Sequence, residues 1–204
     1  MASRPDRAGR YTLRFEDGST MRLYRQTVED FGLYTGMELE EDELERLRIA
    51  AGEMSAKMRA VRIVSASSVS KSDLERRLIQ KGENPEQAAN AVQWMEDLNL
   101  LDDWQTAQQL VSRCIAKGYG IARAKQALYE KRIPREYWEE ALEDYPDQTD
   151  AIVSFLRSRL GDEPDDRTVK RAVDALLRRG HGYGQIRQAL RLLEQEEFLE
   201  EQYG

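Results

Sequence analysis

The sequence predicts a mainly α-helical protein in which tandem three-helix repeats form an elongated array, preceded by a small N-terminal β-hairpin region. Three observations lead to this fold class. Apolar and polar residues alternate only near the N-terminus, and apolar residues recur at helical spacing over the rest of the chain. One helical pattern also occurs three times, with a period of about 49 residues, which is the signature of a repeat architecture.

The alternating segment is YTLRFEDGSTMRLYR, residues 11–25, and it predicts a β-hairpin. A two-residue turn would set Leu13 opposite Arg22 and mix apolar and charged residues on both faces. A three-residue loop over residues 17–19 instead pairs Leu13 with Leu23 and gives one apolar face. Because an isolated hairpin is only marginally stable, this face is expected to pack on another part of the protein.

Two helices are predicted after the hairpin. The first is short and starts at Thr27, and Gly36 ends the connection that follows it. The second is longer and amphipathic, and acidic residues in its first turn favour the positive end of the helix dipole. Its apolar positions are Leu44, Leu47, Ala51, Met54, Met58 and Val61. The serine-rich segment 65–72 ends this helix, and only helices are expected from there on.

The strongest internal signal is a two-helix pattern that recurs without an internal gap. In the first copy its apolar positions are Leu74, Leu78, Ala88, Ala91, Val92 and Met95. The second copy has Ala124, Leu128, Trp138, Ala141, Leu142 and Tyr145, and the third has Ala172, Leu176, Ile186, Ala189, Leu190 and Leu193. A single copy cannot bury its apolar face alone, so stacked copies are expected to build one continuous core.

Residues typical of helix ends agree with this repeat. Ser72 with Glu75 predicts a capping box at the start of the first copy. Gly82 is expected to end that helix, and Asn84-Pro85 is expected to open the next one. The same boundaries in the later copies are marked by Pro134 and Gly180.

A third helix is predicted to complete each full repeat. Asp103 is expected to cap the first of these helices and Thr149 the second. Their apolar positions are Ala107, Leu110, Val111 and Cys114, and then Ala151, Ile152, Phe155, Leu156 and Leu160. After Leu193 only an acidic tail remains, so the last third helix is expected to be truncated or absent. The predicted divisions are a hairpin region at 1–40, a connecting helix at 41–68, and repeats at 69–120, 121–164 and 165–204.

Composition excludes several classes of protein. The formal net charge of −7 argues against binding to nucleic acid by bulk charge alone. Without a long apolar run or a signal-peptide core, a cytoplasmic protein that makes no membrane contact is expected, and the single Cys114 suits a reducing compartment. One histidine and one cysteine leave no cluster for zinc or iron. No metal, cofactor or catalytic residue is predicted, and the protein is not expected to be an enzyme.

Cationic side chains are the candidate partner-binding residues. One cluster, with an aromatic residue among the cations, contains Arg113, Lys117, Tyr119, Arg123, Lys125, Lys131 and Arg132. A second set occupies equivalent positions at the end of the first helix of each copy: Lys81, Lys131 and Arg179. One interpretation is structural, with cations on negative helix ends and Tyr119 filling a packing gap. The other is contact with acidic side chains or phosphates, with Tyr119 stacked on a base.

Three segments together resemble the RecX family of bacterial regulators. They are SKSDLERRLIQKG, NLLDDWQTAQQLVSRCIAKGYGIARAKQALYEKRIP and VDALLRRGHGYGQIRQAL, and the resemblance covers residues 60–193. The chain departs from the family pattern at SASSVSKS, where an Arg-rich segment is usual. The resemblance implies a non-enzymatic regulator that binds the RecA recombinase filament and inhibits its ATPase and strand-exchange activities. Such a protein modulates recombination and the DNA-damage response.

A helix-turn-helix-like protein that acts directly on DNA is the alternative, because three-helix units with short second helices can read the major groove. The second helix of the first copy, residues 88–98, carries Asn90 and Gln93 but no cation, which weakens this alternative. Under either interpretation the expected partners include weakly bound single-stranded or duplex DNA, and the protein is expected to be a monomer.

Overall fold

A computed structural model describes residues 4–161 and 164–203, with side chains described up to residue 195. The strands are β1 (Arg10–Arg14) and β2 (Thr20–Tyr24), and the first helices are α1 (Arg25–Asp30), α2 (Glu41–Ala66), α3 (Lys71–Gln80), α4 (Pro85–Asp97) and α5 (Asp103–Ala116). The remaining helices are α6 (Ile121–Glu130), a 3-10 turn (Arg135–Tyr137) leading into α7 (Trp138–Glu143), α8 (Thr149–Leu160), α9 (Asp166–Arg178) and α10 (Tyr183–Tyr203). The chain forms two compact units, unit 1 (Met1–Asp102) and unit 2 (Asp103–Gly204).

The predicted hairpin forms, but its register differs from the predicted one. Leu13 lies opposite Met21, and Tyr11 lies opposite Leu23, whereas the prediction paired Leu13 with Leu23. The shift is two residues, which is one full side-chain period, so the apolar residues still share a face. Leu23 is buried and β2 packs on α1 and α2, so the hairpin has the packing partner that its marginal stability requires.

The loop of the hairpin explains this register. It has the predicted three residues, but they are 16–18 and not 17–19, since the Phe15 N–H donates to the Ser19 carbonyl (3.0 Å). Gly18 closes the loop with φ +83°, a left-handed conformation that glycine adopts without steric cost. The backbone freedom of this glycine therefore decides which residues pair.

The long helix α2 is covered on more than one face, unlike the simple amphipathic helix that was predicted. Of the predicted stripe only Leu47 is buried, and the other buried positions are Ala56 and Ala60. A Cβ atom added at Gly52 would collide with the side-chain amide of Gln87 on α4. Small residues thus let α4 lie close to α2, and a search for large apolar residues does not detect such a contact.

Three helix starts differ from the predicted caps. Ser70, not Ser72, caps α3, and its hydroxyl accepts a hydrogen bond from the Asp73 N–H (3.1 Å). Asp103 and Thr149 are the first residues of α5 and α8 and do not precede them. Each of the three predictions lies within two residues of the observed boundary, which is the usual uncertainty of helix ends. At α4 the prediction is confirmed, with Asn84-Pro85 as N-cap and first residue.

The helices α3, α6 and α9 end in the same way, as the repeat predicts. Their C-caps are Lys81, Lys131 and Arg179. The residue after each cap is left-handed, with φ +90° at Gly82, +55° at Arg132 and +87° at Gly180. The N–H groups of this residue and the next donate to carbonyls in the last helical turn, which is a Schellman motif. Only the second copy places a residue other than glycine at the left-handed position.

Arg132→Gly is therefore expected to stabilise the protein. A side chain in the left-handed conformation costs about 1 kcal/mol or more relative to glycine, and the Arg132 side chain is exposed. The midpoint of urea unfolding should rise. The control is Lys131→Gly, because Lys131 has φ −88°, where glycine relieves no strain and adds freedom to the unfolded chain, so the midpoint should fall. A lower midpoint in Arg132→Gly would contradict the prediction.

Most of the buried apolar side chains in the described residues form three clusters, each built mainly from three consecutive helices. The first cluster lies among α2, α3 and α4, the second among α5, α6 and α7, and the third among α8, α9 and α10. The predicted boundaries at 69–120 and 121–164 instead joined α5 to α3 and α4, and α8 to α6 and α7. The grouping differs because the apolar stripe of α5 packs on α6 and α7, and that of α8 packs on α9 and α10.

This grouping accounts for both ends of the repeat array. The helix predicted as a connection at 41–68 is α2, and it supplies the first helix of the first cluster. In the described residues the acidic tail after Leu193 continues α10 as far as Tyr203, and α8 supplies the first helix of the third cluster. None of the described helices combines the length and the apolar character needed to cross a bilayer.

Candidate functional site

Two glycine-containing turns in unit 2 pack backbone against backbone. We call this contact the glycine joint; it consists of residues 118–120, between α5 and α6, and residues 179–181, after α9. The Gly120 N–H donates to the Arg179 carbonyl (3.0 Å), and the Ala122 N–H lies 3.3 Å from the Gly180 carbonyl. The second and third clusters are therefore linked by main-chain hydrogen bonds.

No side chain fits at the centre of the glycine joint. A Cβ atom at Gly120 would collide with the Gly180 carbonyl, and one at Gly180 would collide with the backbone nitrogen of Arg123. Both obstacles are backbone atoms, which cannot move aside as a flexible side chain can. The joint therefore requires glycine at both positions.

The buried side chain of His181 and the half-buried side chain of Tyr145 complete the glycine joint. The ring of His181 is 4% exposed, and its Nε2 lies 3.0 Å from the Gly118 carbonyl oxygen. The Tyr145 hydroxyl donates to the Tyr119 carbonyl (2.6 Å), and burial raises the pKa of Tyr145 to about 12, so this donor stays protonated. His181 Nδ1 is buried without a partner among the described residues, which indicates a neutral ring with its proton on Nε2.

The stability of unit 2 is expected to fall on mild acidification because of His181. Burial lowers the pKa of His181 below its ordinary value of 6.5, although the hydrogen bond to Gly118 opposes this shift. As the pH falls, the unfolded chain therefore takes up a proton on His181 before the folded protein does. The contribution of His181 to stability is fully present above its ordinary pKa and is lost as the pH falls toward its folded-state pKa. Urea midpoints at about pH 7.5 and about pH 5.5 test this effect.

His181→Gln is the control for that measurement. Carboxylates titrate in both proteins, so only the difference between their pH responses reports on His181. The midpoint of the wild-type protein should fall further than that of His181→Gln. Equal responses would show that His181 does not contribute to the pH dependence.

A pocket of about 300 Å³ adjoins the glycine joint and shares Tyr119 and Arg179 with it. It is lined by Tyr119, Arg123, Phe155, Arg159, Ala175, Arg178 and Arg179. Four guanidinium groups and two aromatic rings, carried by α6, α8, α9 and the glycine joint, thus meet at one surface of unit 2. We call this the arginine pocket.

The aromatic rings hold arginine side chains in place. The guanidinium of Arg179 lies 5.4 Å from the ring centroid of Tyr119 and 5.0 Å from that of Phe155. It also donates to the Lys117 carbonyl (3.2 Å). Arg159 stacks on Phe155 at 5.5 Å. Such cation–π contacts restrict the planar guanidinium groups and leave their N–H edges available for a ligand.

Positive charge exceeds negative charge at the arginine pocket. Arg123 forms an ion pair with Glu130 (3.2 Å). Within residues 4–161 and 164–195, none of the other three arginines has a carboxylate oxygen at ion-pair distance. Guanidinium groups without a carboxylate partner are suited to bind an oxyanion, since they offer charge and paired N–H donors together.

The structure brings together three of the predicted partner-binding residues. Tyr119, Arg123 and Arg179 line the arginine pocket, and Lys117 contributes its carbonyl. Tyr119 packs against the second cluster, and the guanidinium of Arg179 lies over its ring. The position of Tyr119 therefore agrees better with the packing interpretation than with stacking on a base. The predicted residues outside the pocket lining are Lys81, Arg113, Lys125, Lys131 and Arg132.

Sequence reasoning did not select Phe155, Arg159 or Arg178. Phe155 was assigned to the apolar stripe of its helix, and it does pack against the third cluster while its ring also faces the pocket. Arg159 and Arg178 lie in the last turns of α8 and α9. Two arginines at the ends of consecutive helices are a signal that could have drawn attention to this surface.

The described residues offer few other sites. They contain no group of three or more His, Cys, Asp or Glu side chains placed to hold a metal ion. Cys114 is buried as predicted, and burial raises the pKa of its thiol. On α4, the exposed Gln93 amide donates to Asp97 (3.0 Å).

Comparison with known proteins gives consistent results. The family described as RecX, second three-helix domain, matches residues 102–142, which span α5 to α7. Regulatory protein RecX of Chlorobaculum tepidum is 30% identical over 146 residues, covering 70% of this chain and 91% of that protein. Regulatory protein RecX of Xanthomonas axonopodis pv. citri is 30% identical over 142 residues, covering 68% and 88%.

Two solved structures share the fold. The crystal structure of a regulatory protein RecX matches with a TM-score of 0.63 at 19% identity, covering 92% of this chain and 97% of that chain. The crystal structure of RecX from Lactobacillus salivarius matches with a TM-score of 0.60 at 20% identity, covering 71% and 98%. At these identities the likeness concerns the fold.

Proposed function

The chain belongs to the RecX family of regulatory proteins, and on that basis we propose that it binds the RecA nucleoprotein filament and inhibits its ATPase and strand-exchange activities. It acts in the cytoplasm, where it modulates recombination and the DNA-damage response. Its effect comes from binding, without a reaction of its own. Membership of the family supports RecA as the partner. The arginine pocket is a candidate for the surface that contacts the filament.

The arginine pocket is the observation that carries this proposal at the level of residues. The chain has a formal net charge of −7, so a nucleoprotein filament would repel much of its surface. A local set of cations at one pocket supplies an attractive contact and orients the protein on its partner. Because such a contact is electrostatic, its contribution should fall as salt rises.

Reversing three charges at and beside the pocket is expected to weaken inhibition of RecA-driven ATP hydrolysis. The variant carries Lys117→Glu, Arg123→Glu and Lys125→Glu. Arg123 lines the pocket, and the two lysines are exposed on the adjoining segment. At about 50 mM salt the concentration for half-inhibition should rise about tenfold or more, and the difference should shrink at high salt.

A matched control carries the same change of net charge on unit 1. Arg25, Arg46 and Arg48 are exposed on α1 and α2, and their reversal should leave inhibition close to that of the wild type. Equal losses of inhibition in both variants would show that the effect depends on net charge alone and not on the pocket. Wild-type inhibition in the Lys117, Arg123 and Lys125 variant would remove these three residues from the contact. The candidates would then be the helix-end cations Lys81, Lys131 and Arg179, of which only Arg179 lines the pocket. A wild-type protein that fails to inhibit RecA would overturn the proposed function.

Direct action on DNA is separated from this proposal by leaving out RecA. The exposed side chains of α4 include Asn90 and Gln93, and no cation lies in residues 88–98. Specific helix-turn-helix readers place several donors, arginine in particular, in the groove. Salt-dependent binding to naked duplex DNA with sequence preference would favour the alternative.

A further inference from the structure

We propose that the arginine pocket is a phosphate-binding site that holds phosphate groups of single-stranded nucleic acid. This inference rests on the proposed function for its setting, since the RecA filament contains a DNA strand. It deepens that function by assigning the pocket to the nucleic acid and not to the surface of the protein partner. The same chemistry would accept inorganic phosphate or a mononucleotide more weakly.

The occupied ring faces determine which part of a nucleic acid the pocket can bind. Arg179 lies over both Tyr119 and Phe155, and Arg159 also stacks on Phe155. A base would have to displace guanidinium groups in order to stack there. The pocket therefore presents N–H edges, which bind oxyanions in a bidentate manner. Phosphate oxygens meet that requirement, and the faces of bases do not.

The number of arginines favours a ligand that carries several anionic groups in a row. Only Arg123 of the four has a carboxylate partner among the described residues. A single carboxylate or a single phosphodiester, each with one negative charge, would neutralise only one of the remaining three. Each phosphodiester carries two non-bridging oxygens, and successive phosphates along a strand can engage successive arginines.

Arg179 is fixed at both its backbone and its side chain. Its carbonyl accepts the hydrogen bond from the Gly120 N–H (3.0 Å), and its guanidinium donates to the Lys117 carbonyl (3.2 Å). Because the side chain is already held, binding loses less conformational entropy than it would with a free arginine. The glycine joint thus places one cation at a defined position in the pocket.

The test measures binding of a fluorescent oligo(dT) to the full chain by anisotropy, without RecA. The pocket variant carries Arg159→Gln, Arg178→Gln and Arg179→Gln. The control carries Arg135→Gln, Arg187→Gln and Arg191→Gln. Two of these arginines also stack on aromatic rings, Arg135 on Trp138 and Arg187 on Tyr183. Both variants lose three positive charges from unit 2, but the control arginines do not line the pocket.

The pocket variant should bind oligo(dT) about tenfold or more weakly. The slope of log affinity against log salt should become shallower by up to about 2, since each phosphate contact on a single strand contributes about 0.7. The control should keep the wild-type affinity and slope. Equal binding by the pocket variant and the control would overturn the proposal.

A second variant guards against a folding defect. Arg159→Gln with Arg178→Gln leaves Arg179, its stacking and its hydrogen bond in place, so the fold should survive, as circular dichroism can verify. This variant should still weaken oligo(dT) binding. Unchanged binding by this folded variant would also overturn the proposal.

Competitors identify the chemistry. Inorganic phosphate and thymidine monophosphate should each displace oligo(dT) from the wild type at high concentration. Poly-glutamate of equal length should compete poorly. A pocket-dependent preference for poly-glutamate over oligo(dT) would assign the site to an acidic peptide and overturn the phosphate assignment.

The phosphate site and the proposed function can fail separately. If the wild type inhibits RecA but both pocket variants bind oligo(dT) with wild-type affinity, the proposed function is supported and the phosphate site is wrong. If the pocket variants bind oligo(dT) more weakly but the wild type does not inhibit RecA, the phosphate site is supported and the proposed function is wrong. The RecA assay on the wild-type chain and the oligo(dT) assay on the pocket variants are separate measurements.

Discussion

Leu128→Ala and Leu176→Ala are each expected to destabilise unit 2 by about 2–5 kcal/mol, and Leu78→Ala should destabilise unit 1 by a similar amount. These leucines occupy equivalent positions of the repeat, and their exposed fractions are 0%, 1% and 0%. Each one fills the centre of a different cluster. The truncation removes buried methyl groups and leaves a cavity that the surrounding helices cannot fully close.

The damage should be local, because contacts in repeat arrays connect mainly neighbours. Hydrogen exchange followed by mass spectrometry should show faster exchange in α5–α7 for Leu128→Ala and in α2–α4 for Leu78→Ala. The control is Leu177→Ala, next to Leu176 but 43% exposed, which should cost much less. If the leucine variants unfolded at the wild-type urea concentration, the assignment of these positions to the core would be wrong.

Gly180→Ala is expected to cost about 3 kcal/mol or more, because two separate penalties combine at this position. The residue is left-handed, with φ +87°, and its new Cβ would collide with the backbone of Arg123. Conformational strain of this kind costs about 1–3 kcal/mol, and overpacking against rigid atoms adds a similar amount. Gly120→Ala carries only the collision and should cost less.

Two further glycines serve as matched controls. Gly82 has φ +90° but open space around it, so Gly82→Ala should show the backbone penalty alone. Gly184 lies in α10, without a left-handed φ or a close neighbour, and Gly184→Ala should be neutral or stabilising because alanine favours the helix. The expected order of urea midpoints, from highest to lowest, is Gly184, Gly82 and Gly180. A Gly180→Ala protein as stable as Gly82→Ala would show that the joint can open without cost.

Periodicity predicted the helices and most of the core from the sequence, because burial imposes a regular spacing on each helix. Leu128, Leu176 and Ile186 are buried as the aligned copies require. The grouping of α5 with α6 and α7 was not predicted, since an amphipathic helix between two neighbours shows which residues are apolar but not which neighbour they face. The hairpin register differed for a related reason: pairings shifted by two residues keep the same apolar face.

The candidate site was only partly predictable. Arg179 and Tyr119 were selected from local charge and aromatic patterns, 60 residues apart in the chain, and the fold brings them together. Phe155 was explained by its apolar stripe, so nothing in the sequence required a second role. These residues lie close together because two turns contact each other through main-chain atoms. Patterns of apolar and charged side chains say little about such a contact.

The glycine joint has a consequence for protein engineering. Its central hydrogen bonds use main-chain donors and acceptors, and the side chains of His181 and Tyr145 add one hydrogen bond each. Substitutions elsewhere on the flanking helices therefore leave the groups that recognise each other unchanged. A truncation after α7 would leave the Gly120 N–H and the Gly118 carbonyl without the partners that residues 179–181 supply. Helices α5–α10 therefore form a single cassette, which should be grafted or deleted whole, whereas a cut between α7 and α8 would divide one folding unit into two incomplete halves.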